Sequence, residues 1–385
     1  RSRSRPVFTK LMTAYINHDA LIFNAGTPRA RSVPDGSAVP TAPRSYEMSA
    51  ALPLPSSDSH VCARPADVPA GRGPWRMGVI SNPLSGANRR RGLGAIQHCL
   101  QGYPDVPHRV VRGLADVQAA LEDFRHRRLN LIAVNSGDGT IQAALTVLLG
   151  QQLFDSTPVL ALLNGGTTNM THQDLGVGGP PGEALRRVID WAYHGVGPAQ
   201  IRRQTILKVQ TATIARPLYG LFFGSACIFN GIRFFHSSVN GMGLRGDAAH
   251  LLIVARFLWA LARRDDALAA PLPAGIRAGR LSAEPSDYLL LLVTTLDRLI
   301  MGLRPFQPYG EGPLKLTAVS ARPRNLLRVL LFLLRGRPHP CVHPGNGYIA
   351  CHAPAVRLDM DGGFAVDGEL FSADRRSGPV LIEAG

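Results

Sequence analysis

Short apolar runs alternate with helix-spaced apolar stripes through the first half of this chain, and that alternation predicts most of its elements. The runs are Met77-Gly78-Val79-Ile80, Arg109-Val110-Val111, Leu131-Ile132-Ala133-Val134 and Val159-Leu160-Ala161-Leu162-Leu163. Continuous apolar stretches of this length suit strands buried on both faces of a parallel sheet. Between them, Leu93, Ile96 and Leu100 recur at helical spacing, as do Leu114, Val117, Leu121 and Phe124. Ile141, Leu145 and Leu148, and later Leu185, Val188 and Ile189, do the same. Each set lines one face of a helix, and strands that alternate with such helices predict a doubly wound parallel sheet.

Near Thr205 the period changes from mixed to two. Leu207, Val209 and Thr211 alternate with Lys208, Gln210 and Ala212, and further strand-like runs fall at 218–223, 288–293, 314–319 and 356–358. These predict a second, mainly antiparallel domain. Two helices interrupt it, one through Leu251, Ala255, Leu258 and Ala262, the other over 325–334. In the second, Arg324, Arg328 and Arg335 share one stripe against a wide surface of leucines. A basic stripe on an apolar surface suits a helix lying among lipid headgroups, while a core helix with a solvated arginine edge is the commoner arrangement.

Length agrees with two domains, because single cores stop growing near ~250–300 residues and this chain has 385. Residues 1–74 are rich in Ser, Pro, Ala and Arg without period, and read as a disordered tail or extension, with Met48 and Met77 as alternative starts. The expected boundaries are therefore 1–74 for the tail, 75–204 for the α/β domain and 205–385 for the second domain.

Charge narrows the partners. A net +15 favours an anionic one, either a membrane surface or a phosphorylated substrate. Nucleic acid is disfavoured, since the arginines are not interleaved with aromatic residues, which make up only 6% of the chain. Cys62, Cys99, Cys227, Cys341 and Cys351 are odd in number and widely spaced, which argues against a disulfide framework and for a reducing compartment. His339, Cys341, His343, Cys351 and His352 cluster loosely but match no zinc spacing, and read as scattered loop residues. No apolar run approaches the ~20 residues of a membrane-spanning helix, and no leader with a small-residue cleavage site stands at the start. The expected location is the cytoplasm, peripherally at the inner membrane face.

The chemistry sits where the strands end. Ser136-Gly137-Asp138-Gly139-Thr140 follows the Leu131 run, and Gly165-Gly166-Thr167-Thr168-Asn169 follows the Val159 run. Glycines let backbone approach a phosphate closely, and a following helix turns its free N–H groups to the anion. Asp138, in the middle of the first turn, would repel a phosphate unless it holds a metal or takes a proton, which points to phosphoryl chemistry. No Gly-Lys-Ser/Thr loop of Walker type and no Ser-His-Asp elbow is present.

Together with Asn82-Pro83-Leu84-Ser85-Gly86 after the Met77 run and Val366-Asp367-Gly368-Glu369 near the end, these turns resemble, in order and spacing, the diacylglycerol kinase catalytic family, which includes sphingosine and ceramide kinases. The resemblance covers about residues 76–385. It implies an ATP- and Mg²⁺-dependent lipid kinase whose site lies in the cleft between the α/β domain and a β-sandwich domain. Carried over by position, Asn82, Pro83, Ser85 and Gly86 would line the nucleotide, Gly137, Gly139 and Thr140 would cradle its phosphates, and Gly166, Thr167 and Asn169 would close the other side. Asp138 would organise Mg²⁺ or accept the hydroxyl proton, with Glu369 as the rival base and Asp367 beside it; the sequence ranks neither first.

Some positions depart from the family pattern. Ser136 replaces the usual glycine, as in sphingosine kinases, and Asn164-Gly165 and Thr168 alter the second turn. Gly310-Glu311-Gly312 stands at the Asp-Asp-Gly segment of many bacterial members, which leaves Glu311 as the candidate for a structural Mg²⁺. Gly224-Ser225-Ala226-Cys227 has no acid where sphingosine kinases carry one, which weakens a sphingoid-amine substrate. The leading expectation is γ-phosphate transfer to a hydroxyl of diacylglycerol, ceramide or a related lipid at an anionic membrane, with a homodimer allowed for. The rivals are a soluble NAD kinase-like phosphotransferase and a silent nucleotide- or lipid-binding module.

Overall fold

A computed structural model describes residues 19–24, 74–238 and 270–385, apart from Thr168, Pro308, Leu327, Arg328, Leu330, Leu331, Leu333, Leu334 and Pro338. The helix expected through Leu251 to Ala262 lies outside the described residues.

The first sheet has six strands: β1 (Asp19–Asn24), β2 (Met77–Ser81), β3 (His108–Val110), β4 (Leu131–Ser136), β5 (Val159–Asn164) and β6 (Gln200–Thr205). Their order across the sheet is β3-β2-β4-β5-β1-β6, parallel throughout except for the last pair. The connecting helices are α1 (Gly86–Arg91), α2 (Gly94–Leu100), α3 (Leu114–His126), α4 (Asp138–Gly150), α5 (Met170–Leu175) and α6 (Pro181–His194). Strand side chains alternate between two cores, as a period of two requires. Ile80, Ile132, Val134, Leu160 and Leu162 meet α3 and α4, while Val79, Leu131, Ala133, Ala161 and Leu163 meet α2 and α6. Helices on both faces explain why these strands read as unbroken apolar runs. Leu114 is the exception among the helix stripes: it opens α3 and is exposed.

The expected tail is corrected at Asp19–Asn24. This segment is an interior strand, parallel to β5 (Leu21 opposite Val159) and antiparallel to β6 (Asp19 opposite Thr205). Ala20, Ile22 and Phe23 are buried, and the Phe23 ring packs 4.8 Å from Trp191 of α6. The physical reason is the four-residue apolar run Ala20-Leu21-Ile22-Phe23, which satisfies both open ladders and both cores at once. The rest of residues 1–73 lies outside the described residues.

The second sheet is antiparallel, with eleven strands: β7 (Leu207–Gln210), β8 (Leu218–Gly220), β9 (Phe222–Ala226), β10 (Leu272–Ala278), β11 (Leu281–Thr294), β12 (Leu314–Ser320), β13 (Tyr348–Ala353), β14 (Ala355–Met360), β15 (Gly362–Val366), β16 (Glu369–Ala373) and β17 (Val380–Ala384). One helix, α7 (Cys227–Ser238), follows β9. Strands from the two ends of the pairing path, β15 and β9 at one and β17 and β7 at the other, turn Phe364, Phe223, Ile382 and Val209 into one core. The sheet thereby packs on itself in the manner of a sandwich. The two domains share hydrophobic surface: Tyr219, Leu221, Phe222, Leu292 and Leu296 join the α3–α4 core.

Of the helix expected over 325–334, Leu326, Val329 and Phe332 are described. Leu326 and Val329 pack with Val319, Val342 and Tyr348, so this face is core, whereas Phe332, Arg324 and Arg335 are exposed.

Candidate active site

Three turns meet at the carboxyl ends of β2, β4 and β5, the edge at which ligands of such sheets bind. The Asn82 turn is self-braced: the Asn82 side chain accepts the Leu84 amide at 2.8 Å and donates to Thr140 Oγ1 at 2.9 Å. Asn88, buried at the start of α1, donates to the Asn82 and Asn135 carbonyls, each at 2.9 Å. The Ala87 and Asn88 amides donate to the Gly165 carbonyl, which ties the first turn to the third. Ser85 Oγ accepts the Gly137 amide at 3.1 Å, tying it to the second.

Glycine is needed where the turns touch. A methyl group on Gly166 would stand 2.5 Å from Gly137 Cα, and one on Gly86 would overlap Thr167 Oγ1. The backbone closeness that suits a phosphate cradle is therefore present, and its walls are small polar groups without cationic charge. Gly166→Ala should force the second and third turns apart, and a nucleotide held by them should bind more weakly by about tenfold or more, equivalent to ~1.4 kcal/mol. Calorimetric titration with ATP measures this, and an unchanged affinity would place the nucleotide elsewhere.

The three acids take three different positions. Asp138 is half-buried, and its carboxylate accepts the Met170 amide at 3.1 Å and the Thr171 amide at 3.0 Å, both at the amino end of α5. Burial pushes its carboxyl up, against the pull of those two amides. Asp367, which is buried, accepts the amides of Leu221 (3.0 Å) and Phe222 (2.9 Å) from a left-handed backbone position (φ 47°). Burial first and the nearby Asp138 charge second raise its carboxyl well above the ordinary range. Glu369 opens β16 and is exposed, and its side chain has no hydrogen-bond or ionic partner among the described residues. Its carboxylate stands against Gly139, where an added methyl would overlap it. Of the three acids, only Glu369 leaves its oxygens open at the glycine turns.

Asn169 closes the third turn from within. Its side chain accepts the Gly166 amide at 2.8 Å and donates to Asn164 Oδ1 at 2.6 Å. Glu311 lies apart, exposed in the loop before β12, and no group of three His, Cys, Asp or Glu side chains able to hold a metal occurs among the described residues. Neither Asp138 nor Glu311 belongs to such a group, and each Asp138 oxygen, bound to one backbone amide, keeps a second lone pair. The loose His339–His352 cluster likewise forms no such group.

One constellation has no sequence signal. Asp297, just past β11, receives Lys315 Nζ at 2.5 Å and Arg202 Nη2 at 2.8 Å, and its own amide donates to Asp174 of α5 at 2.8 Å. The Lys315 and Arg202 charges hold the Asp297 carboxyl down at about 2 despite burial. Its members are scattered over more than a hundred residues, and only the tertiary fold brings them together.

Residues 76–200 match the model of the diacylglycerol kinase catalytic domain. A diacylglycerol kinase structure from Bacillus anthracis str. Sterne is similar at 16% identity and TM-score 0.52, covering 80% of this chain and 93% of that one. A second structure from the same strain, of a protein assigned to the diacylglycerol kinases, is similar at 18% identity and TM-score 0.55 with the same coverage. These two likenesses establish the fold. An NAD kinase from Archaeoglobus fulgidus in complex with ATP is a looser match, at 11% identity and TM-score 0.39. No curated protein matches the chain. The match over residues 76–200 carries all three glycine-bearing turns, and over that stretch the chain is similar to the diacylglycerol kinase catalytic domain.

Proposed function

We propose that the protein transfers the γ-phosphate of ATP to a hydroxyl of a membrane lipid of the diacylglycerol or ceramide type. The observation that carries this reading is the open carboxylate of Glu369, delivered by the second domain onto Gly139 of the first. ATP, when bound, supplies the phosphoryl group. The Gly137, Gly139 and Gly166 backbones would bind its phosphates, with Ser85 and Asn169 holding those turns in place. Glu369 would accept the lipid hydroxyl proton as that oxygen takes the phosphoryl group. Asp138, which the sequence offered as the rival base, serves instead as the acceptor for the amino end of α5. The test is incubation of purified protein with labelled ATP and a lipid panel in mixed micelles. Label in a lipid supports the reading; label in NAD alone overturns it for the soluble phosphotransferase, and ATP binding without transfer overturns it for a silent module.

A lipid acceptor requires access to a bilayer. Arg304, Arg322, Arg324, Arg335 and Arg337 are all exposed, and from Arg298 to Arg357 the sequence contains a single acid, Glu311. No helix among the described residues is long and apolar enough to cross a membrane. A peripheral, charge-led contact fits both facts, since each basic residue near an anionic surface contributes about 1 kcal/mol. Replacing Arg324, Arg328 and Arg335 together by Glu should release the protein from phosphatidylglycerol vesicles in a flotation assay. Undiminished flotation would remove this face from the contact.

A further inference from the structure

Around the junction of the two domains a chain of hydrogen bonds, closed by the approach of the Glu369 carboxylate to Gly139, begins and ends at the glycine turn. From Gly139 it passes to its neighbour Asp138, which holds the Met170 and Thr171 amides of α5. At the other end of α5, Asp174 accepts the Asp297 amide at 2.8 Å. Asp297 belongs to the turn that ends β11, and the preceding residues reach back to β8 and β9: Thr294 Oγ1 and the Thr295 amide both donate to the Leu221 carbonyl, at 2.6 and 3.2 Å. The Leu221 amide donates to Asp367, two residues before Glu369, and Glu369 returns to Gly139.

The turn at 295–297 has no regular structure of its own, and one side chain gathers it. Lys315 reaches across from β12, its side chain 13% exposed, and its ammonium meets the Leu296 carbonyl at 2.8 Å, the Asp297 carboxylate at 2.5 Å and the Thr295 carbonyl at 3.5 Å. The Phe306 ring lies 5.4 Å away on another side. Two carbonyls, a carboxylate and an aromatic face make the surroundings a small cation would take, filled here by a tethered one. Arg202 of β6 then binds the second Asp297 oxygen, which fixes the turn to the first sheet.

We infer that Lys315 is a positioning residue for phosphoryl transfer: by gathering residues 295–297 it sets where Glu369 stands over Gly139. The kinetic part rests on the lipid kinase reading, and the structural part does not. ATP meets only the first domain's turns, whereas transfer needs the second domain's carboxylate in register with them. Loss of the ammonium should therefore act on turnover and leave nucleotide affinity alone, since misplacement of a catalytic group by about 1 Å lowers the rate about 100-fold.

Lys315→Met keeps the length and apolar stem while removing the charge. In the full chain it should lower kcat for lipid phosphorylation at least tenfold, with the Kd for ATP within about twofold of the parent, and Lys315→Arg should recover part of the loss; tenfold is the size of a typical coupling between sites. Independently of activity, hydrogen exchange at the Met170 and Thr171 amides should quicken in Lys315→Met while the β4 amides keep their protection. Unchanged kcat in a folded variant, a loss carried wholly by ATP affinity, or unchanged exchange at Met170 and Thr171 would each overturn the inference. If Lys315→Met does not fold, the same exchange measurement on Lys315→Arg decides it. If the parent protein phosphorylates no lipid, the kinase reading fails by itself and the exchange result still stands for the circuit.

Discussion

Glu369→Gln should lose lipid phosphorylation by about 10²–10⁴-fold, the usual share of a general base, while its melting temperature and ATP affinity stay those of the parent. The side chain is exposed and has no partner among the described residues, so the amide costs the fold nothing that the structure shows. Asp367→Ala should do the opposite first. It orphans two buried amides, those of Leu221 and Phe222, at about 1–3 kcal/mol each. It also leaves alanine in a left-handed backbone position that favours glycine or asparagine. Part of this is offset, because the raised carboxyl of Asp367 shows that its charge is itself costly to bury. Denaturant melts and initial rates on the two variants separate the roles. An active Glu369→Gln, or an Asp367→Ala as stable as the parent, would invert the assignment.

Ile22→Asp should be the most damaging single change to the fold. Ile22 is 2% exposed in the middle of β1, opposite Leu160 of β5 and Arg202 of β6. A carboxylate placed there is buried among Leu160, Leu162 and the α3–α4 core, and its cross-strand neighbour Arg202 is already bound to Asp297. Such a change belongs with the severe class of about 4–5 kcal/mol or more, enough to unfold a domain of ordinary stability. Urea melts and size-exclusion profiles of the full chain report it. Parent-like melting would show that Asp19–Asn24 is dispensable to the sheet. The expected alternative to unfolding is association, since the vacated edges of β5 and β6 would be two unpaired ladders.

These two predictions also mark where the sequence was readable. β2, β4 and β5 declare themselves as apolar runs because both faces of the sheet are covered, and α4 and α6 by their stripes because each buries one side. β1 was hidden by its flanks: a four-residue apolar run inside a Ser-, Pro- and Arg-rich stretch looks like a tail unless the gap it fills is known. The three glycine turns were legible because close backbone approach leaves a compositional trace. The hydrogen bonds of Asp138 were not, since a carboxylate at a helix start is equally able to face a ligand or a neighbouring helix. Here the neighbour is α5, which lies more than thirty residues along. The Lys315–Asp297–Arg202–Asp174 group was beyond reach for a simpler reason: four ordinary surface-type residues have no spacing that announces a contact. The 325–334 helix falls between. Its arginine stripe is exposed at Arg324 and Arg335, while Leu326 and Val329 serve a core.

The place of β1 has a consequence for how the chain assembles. Its partners are Val159 to Ala161 on one side and Gln200 to Thr205 on the other, so this strand is made long before either neighbour. At roughly 5–20 residues per second of synthesis, β1 would wait on the order of ten seconds or more with its apolar residues unpaired. Contacts so distant along the chain also close slowly. Until the ladders of β5 and β6 exist to receive it, the Ala20–Phe23 run is a sticky segment without its partners.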